Sequence, residues 1–182
     1  MILFLLLFLS GCGFIVVPLA VAGAGVVGYK MSSRNGPKGY IEDVKVKMML
    51  RKKFKQAGLP NIALLVFDRK VMFCGNVSNV QIYKRVVLGV ESVEQVIDKT
   101  QIAPVLHSNF AADALIKTQL KSSLLLNMHV QSRNIRIKVL DRVIYVLGVV
   151  LSEDERVRIL SNLMQVRNVR RVEQHLEVRK SE

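Results

Sequence analysis

The chain has 182 residues and a formal net charge of +13, with 27 Lys and Arg against 14 Asp and Glu. Trp is absent and aromatic residues make up only 6% of the chain, which disfavours a protein that binds single-stranded nucleic acid by stacking. Two cysteines are too few for a disulfide framework, and the basic balance favours anionic partners such as phosphates or lipid headgroups.

The chain opens on an apolar run that carries no charged residue before Lys30. Its 29 residues are long enough to span a bilayer, which needs about 20. Residues 2–9 also have the length of a signal-peptide apolar region, and two small residues follow them, although no Lys or Arg precedes them. The basic segment of a signal peptide is therefore missing, which counts against a signal peptide if the chain starts at Met1 and leaves a start further upstream as the alternative.

The residues Leu-Ser-Gly-Cys at 9–12 resemble the lipobox of bacterial lipoproteins. In that family the chain is cut before the cysteine, which becomes an acylated first residue. The resemblance implies a signal peptide at 1–11, lipidation of Cys12, and an apolar leader and linker over 12–39. The alternative is an uncleaved membrane anchor formed by residues 1–29. Residues 30–39 are polar and contain Gly and Pro, as is typical of a linker.

Two segments of similar design follow the linker. "FDRKVMFCGNV" (67–77) aligns with "LDRVIYVLGVV" (140–150), which pairs Gly75 with Gly148 and places an Asp-Arg dipeptide at the same point of both copies. The stretches 44–50 and 90–102 align in the same order with 114–120 and 166–178. Three parallel stretches in one order predict a duplicated domain.

Each copy shows the same order of predicted elements: a helix, a hairpin around the Asp-Arg turn, a second helix and a last strand. The two second helices are predicted to begin with Ser-x-x-Glu/Gln capping boxes, Ser78 with Gln81 and Ser152 with Glu155. The other elements are predicted at 41–57, 62–67, 71–77 and 96–102 in the first copy, and at 110–126, 135–140, 143–150 and 172–178 in the second.

This order, with a glycine late in the hairpin and a closing V-x-x-V-x-x-V run, resembles the BON domain. The resemblance implies an α+β fold with two tandem BON domains, at 40–103 and 104–182. Each has the order helix-strand-strand-helix-strand, with two helices on a small three-stranded mixed sheet. The first copy departs from the second, because it is three residues shorter between its glycine and its last strand.

A lipobox followed by two such domains resembles the dual BON-domain outer-membrane lipoproteins of Gram-negative bacteria. The resemblance implies a protein anchored by lipid to the outer membrane and facing the periplasm. It would bind anionic phospholipid through its second domain and help to maintain outer-membrane integrity. Gly13, where an Asp would signal inner-membrane retention, agrees with this location. Inner-membrane anchoring by residues 1–29 is the alternative.

The candidate lipid-binding residues lie on and after the helix that opens the second copy. One predicted face carries an aromatic ring and two lysines, which suits an anionic bilayer surface. The residues of this face are Phe110, Ala114, Lys117 and Lys121, with Arg133, Arg136 and Lys138 extending the patch. The opposite face, with Ala112, Leu115, Ile116, Gln119 and Leu120, is predicted to pack on the sheet. The alternative is that Phe110 closes the helix onto its own core and the lysines are merely solvated.

The remaining residues of chemical interest favour structural roles. Val46, Leu50 and Phe54 form one stripe, so the basic "RKKFK" at 51–55 is predicted to be a solvated rim around a buried Phe54. Cys74 is predicted to be a buried free thiol. Gly75 and Gly148 are predicted structural glycines that mark a bulge or close helix packing.

No catalytic set is legible in the sequence. His107, His129 and His175 have no metal-ligand spacing, and no nucleophile lies beside a base. We therefore expect no enzyme activity, cofactor or metal. The alternative to lipid binding is a periplasmic protein-interaction or structural adaptor with envelope proteins as partners. Nucleic acid is not expected, because an exported chain would not meet it.

Overall fold

The computed structural model describes residues 37–60, 62–102, 109–126 and 134–179. Within these ranges the chain forms an α+β fold of four helices and six strands, as the sequence predicts. The first half comprises α1 (Pro37–Gln56), β1 (Ala63–Phe67), β2 (Lys70–Val77), α2 (Val80–Leu88) and β3 (Gln95–Ile102). The second half comprises α3 (Phe110–Leu126), β4 (Ile135–Leu140), β5 (Val143–Val150), α4 (Glu153–Met164) and β6 (Arg171–Val178).

Each half builds one three-stranded mixed sheet of the same topology. The sheets have the orders β1-β2-β3 and β4-β5-β6, with an antiparallel hairpin and a parallel third strand. The second helix of each half forms the crossover that a parallel pair requires. The predicted duplication is therefore present in the strand order as well as in the element order.

The two hairpins close through the same unusual turn. Asp68 and Arg69 have φ angles of 47° and 63°, and Asp141 and Arg142 have 50° and 62°. Two consecutive residues with positive φ define a type I′ turn, whose twist matches that of the paired strands. Asp tolerates this conformation, whereas Arg adopts it at a cost that other contacts must offset.

Two of the predicted helix starts need correction. Helix α1 begins at Pro37, inside the segment predicted to be a linker, because proline has no amide hydrogen to lose at the first helical position and its φ already suits a helix. Helix α2 is capped by Asn79 and not by Ser78: Asn79 Oδ1 accepts a hydrogen bond from Gln81 N at 3.0 Å. An asparagine next to the serine competes for the same role and caps at least as well.

The start of α4 follows the prediction. Ser152 Oγ accepts a hydrogen bond from Glu155 N at 3.1 Å. Glu155 returns towards the chain before the helix, where its Oε2 accepts from Leu151 N at 2.7 Å. The reciprocal bonds of a capping box are thus formed, with the second one displaced by one residue.

Helices pack on one face of each sheet and build two separate cores. In the first core Val46, Leu50 and Phe54 are buried, as predicted, and the Phe54 ring meets Tyr83 edge-on at 5.2 Å between centroids. The second core is aliphatic. Its buried members are Ile116, Leu120, Ile135, Val139, Ile144, Val146, Val150, Ile159, Leu163, Val166 and Leu176.

The other faces of the two sheets pack against each other and form a third apolar cluster. Its buried members are Leu65, Phe67, Met72, Cys74, Ile97, Val143, Tyr145, Leu147 and Val149. The domains therefore form four layers in the order helices, sheet, sheet, helices. The prediction of simply alternating strands was wrong for β5, where every residue is buried because both of its faces are covered.

Polar contacts surround this cluster and join the two halves. Tyr145 Oη accepts a hydrogen bond from Gly75 N at 3.1 Å. Arg179 reaches Asp68 at 2.9 Å, and Lys99 reaches Glu173 at 3.5 Å. Lys70 forms an ion pair with Glu177. These pairs tie the hairpin turn and last strand of one half to the last strand of the other.

Gly75 and Gly148 lie where neighbouring atoms leave no room for a side chain. A Cβ at Gly148 would meet main-chain atoms of the β4 start, including Ile135 Cα at 2.8 Å. A Cβ at Gly75 would collide with the Leu140 side chain from the other half, and Gly75 also has a φ of +88°. The close approaches are thus to a strand and to the facing domain, and not to a helix, which together with a bulge was the expected role of these glycines.

Replacing Gly148 by Ala is expected to lower the free energy of unfolding by about 1–3 kcal/mol, because the added methyl overpacks against backbone that cannot turn away. Urea unfolding followed by circular dichroism measures this change. The matched control is Gly89→Ala, whose Cβ would stand 3.7 Å from Val86 O, an ordinary contact. A Gly148→Ala variant as stable as Gly89→Ala would contradict the close approach.

Candidate functional site

Helix α3 presents one exposed face with an aromatic ring and a lysine. The Phe110 side chain is 76% exposed, and Ala114 and Lys117 are also exposed. Lys121 follows one turn later on the helix, and its side chain lies outside the described part of the chain. Phe110 does not close the helix onto its own core, because a ring with this exposure is not packed there.

The opposite face of α3 holds the helix on the sheet. Ile116 is fully buried and Leu120 is 4% exposed, as predicted. Leu115, predicted to join them, is instead 58% exposed. One residue advances the helix by about 100°, so Leu115 lies beyond the edge of the contact and adds apolar area next to Ala114.

Asp113 anchors the start of α3 and was not singled out in the sequence. Its side chain is 3% exposed and accepts hydrogen bonds from Asp141 N at 3.0 Å and Arg142 N at 2.8 Å. A charged acceptor on two amides of the type I′ turn stabilises the positive φ angles there. These two hydrogen bonds hold the first turn of α3 against the hairpin turn. Phe110 lies three residues before Asp113 in that turn, and its ring is exposed.

Asp43 holds the corresponding position in the first half. It is 7% exposed and lies at the same distance before the apolar stripe as Asp113 does. Burial raises the pKa of Asp43, while Arg136 and the amides of Asp68 and Arg69 act in the opposite direction. The alignment of 44–50 with 114–120, extended by one residue, pairs these two aspartates and is the signal that could have found them.

The structure separates Arg136 and Lys138 from the α3 face. Side chains alternate along a strand, and Ile135, Ile137 and Val139 of β4 face the core beneath α3. Arg136 and Lys138 therefore face the other domain and do not extend the patch. Arg136 Nη2 lies 3.5 Å from Asp43 Oδ2. Arg133 lies outside the described residues.

Helix α1 also has an exposed face of mixed character. Ile41 and Met48 are 53% and 59% exposed. Lys45, which lies between them in the sequence, and Lys52, one turn after Met48, are also exposed. The spacing i, i+4, i+7, i+11 was legible in the sequence. In the "RKKFK" segment, Phe54 is 1% exposed and its basic neighbours form a solvated rim, as predicted.

Potentially reactive groups are in ordinary structural settings. Cys74 is 1% exposed, and burial raises the pKa of its thiol to about 12, so the thiol is protonated near neutral pH. His175 is half-buried on β6 with Nε2 3.4 Å from Glu177 Oε1. His107 and His129 lie outside the described residues. Among the residues that the structure describes, no group of three His, Cys, Asp or Glu side chains is placed to hold a metal.

The proposed tether also lies outside the described part of the chain. Cys12, the signal peptide at 1–11 and the alternative anchor at 1–29 all precede residue 37, where the description begins. Within the described ranges, no helix combines the length and the apolar character needed to cross a bilayer.

A comparison with known protein families finds a match in the second half of the chain. Residues 112–180 match the BON domain family, so a BON domain extends from the first turns of α3 through β6. This is the half that carries Phe110 and Lys117 at its leading helix. The comparison with curated protein sequences gives no match.

Two solved structures of CdsD, a structural protein of the type III secretion system of Chlamydia trachomatis, are similar to the chain. The first is of a C-terminal domain; it is 11% identical with a TM-score of 0.30, over 77% of this chain and 66% of that one. The second is 11% identical with a TM-score of 0.29, over 78% and 65%. The chain therefore spans just under two thirds of the CdsD chains, and the likeness is too distant to assign a function.

Replacing Asp113 by Ala is expected to lower the free energy of unfolding by about 1.5–3 kcal/mol, because two part-buried amides lose a charged acceptor. Urea unfolding measures the change. Asp154→Ala, an exposed carboxylate in the first turn of α4, is the control and should cost only about 0.3–1 kcal/mol. Equal losses in the two variants would show that Asp113 does not anchor the turn.

Proposed function

We propose that this chain is a non-catalytic lipoprotein whose BON domain binds the anionic surface of a bilayer through the exposed face of α3. The observation that carries the proposal is Phe110, a large apolar ring that is 76% exposed at the first residue of a helix. A buried anchor, Asp113, holds that helix start against the hairpin turn. The ring is therefore presented to solvent by a fixed element.

An exposed aromatic beside apolar and basic side chains has the composition of an interfacial membrane contact. The ring and Leu115 would enter the boundary between headgroups and acyl chains, and the Lys117 ammonium would remain among the phosphates. Each lysine near an anionic surface contributes about 1 kcal/mol. Lys121 lies one turn further along the helix and would add to the same attraction. Such an interface is weak by itself and suits a protein that is already tethered.

The tether that we propose is an acyl group on Cys12 after removal of residues 1–11. One weak membrane signal gives reversible binding, and a second one makes the attachment stable. The resemblance of residues 9–12 to a lipobox supports this tether, with the outer membrane and its periplasmic face as the location. Anchoring in the inner membrane by residues 1–29 is the alternative. In either case the role would be to support the integrity of the envelope.

We also propose that residues 40–103 are a second BON domain. Elements α1 to β3 repeat the element order, strand order and hairpin turn of the matched half. The shared plan extends to the buried aspartate, since Asp43 and Asp113 occupy corresponding positions. The boundary at 103/104 falls between β3 and α3.

A periplasmic adaptor that binds envelope proteins is the second candidate function. The exposed Ile41 and Met48 on α1 favour it, because apolar side chains on a helix face are common at protein interfaces. The charges of Lys45 and Lys52 between and beyond them would then set the choice of partner.

The absence of Trp from the sequence allows a direct test of the α3 face. Phe110→Trp in residues 30–182 introduces one fluorophore at the proposed contact. Its emission maximum is expected to shift to shorter wavelength with phosphatidylglycerol vesicles and not with phosphatidylcholine vesicles. Leu88→Trp is the matched control, since Leu88 is also 76% exposed but lies at the end of α2. An emission maximum of the Phe110→Trp variant that vesicles leave unchanged would refute the proposed contact and favour the adaptor.

A charge reversal in the Phe110→Trp background tests the electrostatic part. Lys117→Glu is expected to raise the lipid concentration at half-maximal shift about 10- to 30-fold at low salt, because an attraction becomes a repulsion. Lys52→Glu changes the net charge equally on α1 and should leave the fluorescence titration nearly unchanged. Equal effects of the two variants would mean that only the overall charge matters.

The tether is tested by the intact mass of the protein extracted from membranes. A mass that begins at Cys12 and includes added acyl chains is the expected result. Cys12→Ala is expected to abolish both the cleavage and the acylation. A full-length, unmodified mass would replace the lipid tether by an anchor at residues 1–29.

A further inference from the structure

Strand β4 passes beside helix α1 at the boundary between the two domains. At the first point of contact the charges are balanced, with Arg136 Nη2 3.5 Å from Asp43 Oδ2. The guanidinium also lies over the rings of Tyr40 and Phe67, at 5.1 Å from each centroid. Arg136 is thus held between an acid and two aromatic rings.

One step further along, each of the two elements carries a lysine. Four residues advance α1 by about 6 Å, to Lys47, and two residues advance β4 by about 6.7 Å, to Lys138. Both lysines are half-buried, and Arg51 follows Lys47 by one helical turn. Burial lowers the pKa of Lys47, and the charges of Arg51 and then Lys138 lower it further. Lys47 therefore lies close enough to both Arg51 and Lys138 for their charges to act on its ammonium group.

No carboxylate in the described part of the chain lies within ion-pair distance of these three residues. The other cations at the domain boundary do have partners: Lys70 with Glu177, Lys99 with Glu173 and Arg179 with Asp68. Cys74 also lies near both lysines, but its thiol has a pKa of about 12 and carries no charge near neutral pH.

We infer that Lys47, Arg51 and Lys138 form an anion site between the two domains, which binds a phosphate group. Half-buried lysines are poorly screened by water, so they attract an anion more strongly than fully exposed ones. The planar guanidinium of Arg51 can donate two parallel hydrogen bonds to phosphate oxygens. A phosphate would give this position the negative charge that the other boundary cations receive from carboxylates.

The site belongs to the pair of domains and not to either copy. Lys117 and Lys121 of α3 correspond to Lys47 and Arg51, but the residue of β1 that corresponds to Lys138 is Leu65. Only the first helix therefore meets a third cation from the facing sheet. The inference goes beyond the proposed membrane contact, because it uses another helix and does not depend on Phe110.

Calorimetric titration of the full chain in neutral detergent with inorganic phosphate, at constant ionic strength set by chloride, tests the site. Lys138→Met is expected to weaken phosphate binding about tenfold or more, since it removes a charged donor from the site. In phosphate-free buffer the same variant should melt at a higher temperature than the unsubstituted chain, because it removes a repulsion. Lys52→Met, an exposed lysine on α1 outside the site, is the matched control and should change neither quantity.

A second arm separates free phosphate from a lipid headgroup. The phosphate titration is repeated in micelles doped with phosphatidylglycerol and in micelles doped with phosphatidylcholine. Competition by phosphatidylglycerol that Lys138→Met removes and Lys52→Met retains would identify the ligand as an anionic headgroup. Phosphate binding without such competition would identify a soluble phosphate. Absence of binding in both arms, or equal binding by Lys138→Met and Lys52→Met, would overturn the inference.

Discussion

The contact between the two sheets is the constraint on which the rest of the structure depends. A three-stranded sheet with helices on one side exposes its other side, and in both halves that side is apolar. Leu65, Phe67 and Met72 from one sheet meet Tyr145 and Leu147 from the other. Burying these side chains removes from water a surface that neither domain covers alone, and each such side chain contributes about 1.5–3 kcal/mol when fully buried.

Pairing of the sheets decides which surfaces are left for partners. The inner faces of the two sheets are buried against each other, and the helices form the outer layers of the part that the structure describes. The α3 face, with Phe110 and Lys117, is one such surface. Because α3 is tied to the hairpin turn through Asp113, its outward direction follows from the packing of its own domain.

The domain boundary shows how a chain of charge +13 arranges its cations. Most of those that meet the facing domain have a carboxylate opposite them, which limits the cost of removing both charges from water. Lys47 and Lys138 are the departure from this rule. The two copies differ at corresponding positions of the boundary. The second copy has Lys138 where the first copy has Leu65, so the boundary is asymmetric.

Much of the fold was predictable from local patterns. Helix α3 and the hairpin β4–β5 have the predicted bounds, and the Ser152 cap and the stripe of Val46, Leu50 and Phe54 are as expected. These features depend on neighbours within a few residues, where periodicity and turn chemistry act. The wrong prediction of Ser78 as the cap of α2 also concerns a local feature. Ser78 and Asn79 are both suitable caps, and the backbone conformation at Asn79 makes it the cap.

The sequence by itself determined the two repeated α+β units, their element order and the exposed position of Lys117, whereas the exposure of Phe110 was decided by the structure. Only the tertiary structure decided what lies opposite each face. The nearly continuous apolar character of "VIYVLGVV" is typical of a strand covered on both sides, but it does not show that the other sheet covers it. The positions of Arg136 and Lys138 followed from that packing. Alternation fixes which side of a strand a residue takes, while long-range contact fixes what that side meets.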